Sequence, residues 1–259
     1  MPAHYLFRMN TREVQALAPK TNIALLPIGP TEVHSLHLPL GTDVESALEV
    51  CERTSAKLQA MGLDCLIASP INYALADVAN CFCGNTTLRP ETVAAIVEDV
   101  CTSLAKWGFT HIMIMCGHAE PRNIEALQEG ANRAMERDTR IFARVSNWLL
   151  GSNIASAMRC AHPEWDIHAG ESETALMLMR DPDLVDRDIL QTLEPNWEGE
   201  FFPARLAEGR DFIGCGATKA YLGDPRTGTA ETGERVYDIY ADFAVAEILK
   251  DREEVQRQG

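Results

Sequence analysis

The stretch IALLPIGPTEVHSLHLPLGTD, Ile23 to Asp43, decides how this chain is read. Its opening run, Ile23 to Gly29, is unbroken apolar sequence and predicts a strand buried on both faces. Glu32 and His34 follow just past the end of that strand, and Asp43 approaches from the next loop. A second apolar run, His111 to Cys116, predicts another buried strand and ends at Gly117-His118-Ala119-Glu120. Side chains at i and i+2 of a strand share a side, which pairs Glu32 with His34 and His118 with Glu120. Two imidazoles and three carboxylates suffice for two divalent cations sharing one bridging carboxylate. Surface acids and incidental histidines are the plainer alternative. The position of both clusters at strand ends, where α/β sites gather, weighs against it.

Working outward, Thr42 with Glu45 reads as a capping box opening a helix over about 43–61, with Gly62 as its stop. Residues 64–71 form a further strand candidate, whose Pro70 marks a sheet boundary. Residues 72–88 lack a period and read as a loop over the sheet edge, an active-site rim. Pro90 opens a helix striped by Val93, Ile96, Val97, Val100 and Leu104, and Gly108 closes it. A helix over 123–135, a strand over 140–145 and a helix over 171–179 follow. Residues 190–230 read as extended loops or hairpins, and a final helix runs over about 232–250 before a polar tail. The alternation predicts an α/β fold of parallel crossover units. No repeat or low-complexity linker interrupts it, so residues 1–259 read as one domain.

With 259 residues, 46% apolar and 24% charged, the chain has the composition of a globular protein with a substantial core. Its formal charge of −15 repels phosphate backbones and anionic lipid, which argues against nucleic acid and membrane partners. The opening residues do not resemble a secretory signal, and no apolar run is long enough to cross a bilayer. Eight cysteines, several inside apolar patterns, read as reduced thiols and point to the cytoplasm. Cys81-Phe82-Cys83 lacks a matching pair elsewhere and reads as packing or pocket lining. His111 reads as a structural histidine.

Four ordered segments carry a family resemblance: PIGPTEVHSLHLPLGTD (27–43), CGHAEPRN (116–123), DIHAGESET (166–174) and GDPRTGTAETGER (223–235). With them the chain resembles the creatininase family of metal-dependent amidohydrolases. The resemblance implies a three-layer α/β/α fold with a mostly parallel central sheet. It implies two divalent ions, Mn²⁺ or Zn²⁺, held by Glu32, His34, Asp43, His118 and Glu120. Asp43 would bridge them, with Glu32 and His118 on one ion and His34 and Glu120 on the other. His168 resembles the catalytic histidine, passing a proton to the departing nitrogen after a metal-activated water attacks. Glu120 is the alternative shuttle.

Other positions stay open. His37 either orients a ligand from behind or packs beside Pro39. Asp166, Glu171 and Glu173 add acid nearby, and Glu173 is either a ligand in place of Glu120 or a carboxylate at a helix N-terminus. Trp148 and Trp165 either wall a small planar substrate or fill a core. Arg122 either meets a substrate group or sits on a helix surface. Ser35 stands where the family usually has glycine, and Pro121-Arg122 lengthens a link that is commonly shorter. The expected substrate is a small polar cyclic amide. A cyclic ketone or lactone from polyol breakdown, or a non-catalytic maturation role, are the alternatives. The family also implies a homo-oligomer, with a hexamer as one form.

Overall fold

Five parallel strands in the order β1-β3-β2-β4-β5 form the central sheet: β1 His4–Tyr5, β2 Ile23–Ile28, β3 Leu66–Ile67, β4 His111–Cys116 and β5 Phe142–Val145. The computed structural model describes residues 3–258; Met1, Pro2 and Gly259, which the one-domain reading includes, lie outside the described residues. β2 and β4 pair along their full length, Ile23 opposite His111 through Ile28 opposite Cys116, and every residue of both is buried. Alternate residues feed two separate cores. Ile23, Leu25, Met113 and Met115 face helices α2 (Thr42–Ala60), α6 (Glu171–Arg180) and α9 (Ala230–Gln258). Ala24, Leu26, Ile112 and Ile114 face α1 (Thr11–Leu17), α3 (Pro90–Ala105) and α4 (Pro121–Arg137). Each fully buried Leu or Ile contributes about 1.5–3 kcal/mol, so a strand apolar on both faces is stable only between two helical layers. The fold is a three-layer α/β/α sandwich with a parallel sheet.

The chain leaves β2 along one face through α2 to β3, then crosses by α3 on the other face to β4. The direction of winding therefore reverses between β2 and β4, and a crevice opens at their C-terminal ends. Two glycines let α2 enter that crevice. A Cβ on Gly29 would lie 2.4 Å from Val44 N, and one on Gly117 would lie 2.1 Å from the Asp43 carbonyl oxygen. The first turn of α2 is thereby pressed against both strand ends.

Several sequence-based expectations change. The capping box is not at Thr42: the Thr42 hydroxyl donates to the Pro39 carbonyl at 2.7 Å, and Glu45 pairs with Arg180. A capping box does form at Asn10 and Glu13, opening α1, in a region with no predicted element. The strand expected over 64–71 shrinks to two residues, with Ile71 bridging Ile28 beyond it. Residues 190–230 form short helical turns, including α7 (Arg187–Thr192) and α8 (Phe202–Ala207), with isolated bridges instead of hairpins. The last helix continues through the expected polar tail to Gln258. No helix among the described residues is long and apolar enough to cross a membrane.

Candidate active site

Glu32, His34, His118 and Glu120 all lie beyond the strand ends, in loops, so strand alternation does not orient them as the sequence suggested. Local hydrogen bonds do. The His34 ring bonds the Glu32 carbonyl through Nδ1 at 3.1 Å, leaving Nε2 at 3.1 Å from Asp43 Oδ1. Ser35, next in the chain, has φ 57°, and Ala169, next after His168, has φ 46°. Left-handed backbone costs a residue with a Cβ about 1–2 kcal/mol, which explains why glycine suits position 35. Asp43 sits on the first turn of α2, where the helix dipole favours a carboxylate.

The donors fall into two close groups sharing Asp43: Glu32, Asp43 and His118; and His34, Asp43 and Glu173. A third group joins Glu32 and His34 to His168. His118 Nδ1 lies 2.8 Å from Glu32 Oε2 and 3.5 Å from Asp43 Oδ2. His34 Nε2 lies 3.6 Å from Glu173 Oε1. Glu120 belongs to neither group. Its Oε2 lies 3.6 Å from His118 Nε2 and accepts the Val78 N–H at 3.2 Å. The carboxylate grouped with His34 and Asp43 is Glu173, from the first turn of α6, where the resemblance implied Glu120.

Whether cations fit can be judged from atoms without partners. Glu32 Oε1 is buried with no partner, and Glu32 Oε2, Asp43 Oδ2 and His118 Nε2, also buried, meet only the imidazole and carboxylate groups of the cluster itself. Uncompensated buried carboxylate is costly, and no lysine or arginine among the described residues reaches Glu32, Asp43, Glu120 or Glu173. Protons stand in: burial opposes charge on His34 and His118, yet Asp43 with Glu173, and Glu32 with Glu120, hold these imidazoles well above their ordinary range. Asp43 is raised by its burial. Imidazole nitrogen and carboxylate oxygen at this spacing suit two divalent ions.

His168 lies between two rings, 4.3 Å from His34 and 4.5 Å from Phe212 by centroid. Its Nε2 bonds the Val33 carbonyl at 2.8 Å, and burial, then His34, lower its pKa to about 4. Bonded to a carbonyl, Nε2 is the protonated nitrogen, and Nδ1 carries the lone pair.

The remaining predicted residues take supporting places. His37 reaches Thr174 on α6 at 2.8 Å, outside both donor groups. Asp166 accepts the N–H groups of Glu171 and Ser172 and so caps α6; burial raises it to about 7. Glu171 accepts the N–H groups of Arg159 and Cys160, anchoring the preceding loop. Trp148 is wholly buried, edge-on to Tyr240, and belongs to the core. Trp165 stacks on His162 beside Trp197 and is partly exposed. Arg122 is exposed and pairs with Asp77 at 2.6 Å. His111 packs edge-on against Phe142, away from the donor groups. Sequence reading missed Val78, Val33 and Phe212. The first two act through backbone groups that no residue type signals.

A family profile described as Creatininase: Creatinine amidohydrolase matches residues 8–248. The chain belongs to the creatininase family. Family membership and the buried donor groups make it a metal-dependent hydrolase. The mycofactocin precursor peptide peptidase of Mycobacterium ulcerans (strain Agy99) is 28% identical over 230 residues, 87% of this chain and 84% of that protein. Creatinine amidohydrolase of Pseudomonas putida is 30% identical over 178 residues, 64% of this chain and 67% of that protein. A crystal structure of creatinine amidohydrolase (creatininase) superposes with a TM-score of 0.78 at 23% identity, covering 97% of this chain and 98% of that one. The names of these relatives point to two different activities.

Proposed function

We propose that this chain, acting as one hydrolase domain, cleaves the C–N bond of a small polar cyclic amide. The observation that carries this reading is the buried donor cluster, whose carboxylate oxygens and imidazole nitrogens face one another with no lysine or arginine among them. Glu32, Asp43 and His118 would hold one ion; His34, Asp43 and Glu173 would hold the other. When bound, two divalent cations, Mn²⁺ or Zn²⁺, supply Lewis acidity to a carbonyl oxygen and acidify water near neutral pH. Glu120 is free of both donor groups and keeps one oxygen unengaged by Val78. It takes the proton released by the attacking water and returns it to the departing nitrogen, so no external acid is needed. His168, neutral and pinned through Nε2, offers Nδ1 to a substrate N–H and orients the leaving group. Every one of these side chains is at most slightly exposed except Glu173, which favours a compact substrate that enters whole.

A peptide end is the second reading. It is supported by the peptidase relatives and by a cavity of about 140 Å³ beside His118, walled by Ala119, Ile124, Val145, Leu149 and Leu150. A cavity near 150 Å³ holds a group the size of benzene, so an apolar side chain fits there. The accompanying proposal is a homo-oligomer in the cytoplasm, in keeping with eight cysteines that form no disulfide. The test is elemental analysis followed by a screen of cyclic amides and short peptides for amine release, wild type beside E120Q. About two ions per chain, with amine release that E120Q abolishes, is expected. Full metal content without amine release from either panel would sink the amidohydrolase reading; acid without amine would redirect it to lactones or cyclic ketones.

A further inference from the structure

The rim loop, residues 72–88, is gripped by the first turn of α4 at closely spaced points. Asn123 Oδ1 accepts the Leu75 N–H at 3.1 Å, Arg122 pairs with Asp77 at 2.6 Å, and Glu120 Oε2 accepts the Val78 N–H at 3.2 Å. Asp77 is held from its other side by the Thr87 hydroxyl at 2.8 Å, and Thr87 Oγ1 accepts the Ala76 N–H at 3.0 Å. Asn123 is wholly buried and donates to Cys116 Sγ at 3.3 Å, which ties the grip to the end of β4.

Val78 also reaches the opposite wall of the site. Its carbonyl accepts the Phe212 N–H at 2.9 Å, and the Phe212 ring lies 4.5 Å from His168. One residue therefore touches Glu120 through its N–H and the segment stacked on His168 through its C=O. We propose that Val78 is a positioning residue that sets Glu120 and His168 relative to one another, and that the Asp77–Arg122 pair holds it there. This rests on the proton-handling roles given to Glu120 and His168 above. The physical reason is orientation. A carboxylate free to turn loses productive geometry, and outer contacts that fix reacting or ligating groups are worth about 10- to 100-fold in activity. Because Arg122 is exposed and Asp77 only half-buried, their pair adds little to global stability, so positioning and folding effects separate.

The test compares Asp77→Ala, Arg122→Ala, the double variant and the charge swap D77R/R122D in the metal-loaded protein. Measurements are kcat, KM, metal content, Tm and hydrogen exchange at the Val78 amide, using the amide substrate found in the screen. Each single variant is expected to lower kcat about tenfold and to speed Val78 exchange, with KM, metal content and Tm unchanged. The double variant should be no worse than either single one, and the swap should recover most of the loss. Unchanged kcat and exchange, a change confined to KM, or loss of metal would each overturn the proposal. E120Q and H168A serve as separate controls. If they retain full turnover, the assigned roles fail, however the rim variants behave.

Discussion

Two acid-rich regions meet on helix α2, one at its first turn and one along its flank. Along the flank, Arg180 lies 2.6 Å from Glu45, 2.5 Å from Glu49 and 2.9 Å from Glu52, while Arg53 reaches Glu49 and Glu234 at 2.6 Å each. At the first turn, Asp43 meets Glu32, Glu173 and two histidines, with no guanidinium or ammonium in reach. Guanidinium forks satisfy carboxylates permanently, so the flank is a structural clasp joining α2, α6 and α9. Imidazoles donate fewer N–H groups than guanidinium forks, so the first turn is the place proposed above for exchangeable cations. What separates the two is the partner, because the acids are alike.

The comparison breaks or sharpens by substitution, beginning with the largest effect. Asp43→Asn removes the carboxylate common to both donor groups. It is expected to lower metal content from about two ions to below one and to abolish turnover, read by elemental analysis and product release. Glu173→Gln is expected to leave about one ion. Glu120→Gln should keep about two and lower kcat by about 10²- to 10⁴-fold. The reverse pattern would restore Glu120 as the ligand. On the flank, Arg180→Ala is expected to cost about 2 kcal/mol in denaturant unfolding, reduced from buried-pair values by partial exposure, with metal content unchanged.

The smallest effect is in acid. Burial works against the Glu52 charge, but Arg180 and Tyr5 hold its carboxyl below the ordinary value of 4.5. A lowered carboxyl stabilises the fold above that value, and the contribution disappears as pH falls through the folded pKa. Arg180→Ala should therefore flatten the loss of stability below about pH 4.5. An unchanged acid limb would mean that Arg180 does not carry this stabilisation.

Both long central strands were legible because IALLPI is apolar at every position and HIMIMC at every position after His111, the pattern of a doubly covered parallel strand. The helix at Pro90 was legible from its start signal and stripe, and the helix expected over 171–179 forms as Glu171–Arg180. β1 and α1 were not, because a two-residue edge strand and a seven-residue helix carry too little pattern. The helical turns within 190–230 are set by packing and capping contacts, such as Asn196 with the Glu198 N–H, and Gly, Pro and aromatic content alone does not distinguish them from hairpins. At the site, Glu32, His34, Asp43 and His118 stood out as a dense cluster of ligating residue types. Choosing between Glu120 and Glu173 required knowing where α6 enters.

Sequence alone determined that buried strands end in histidine and carboxylate, since hydrophobic runs and ligating residue types are local properties of the chain. Only the tertiary structure decided which donors lie close enough to share a cation and which carboxylate stands outside both groups. That choice depends on α2 packing on Gly29 and Gly117, on α6 bringing Glu173 to His34, and on the Val78 backbone taking Glu120 aside. Those contacts join residues far apart in the chain, and their geometry comes from close packing, which no local pattern encodes.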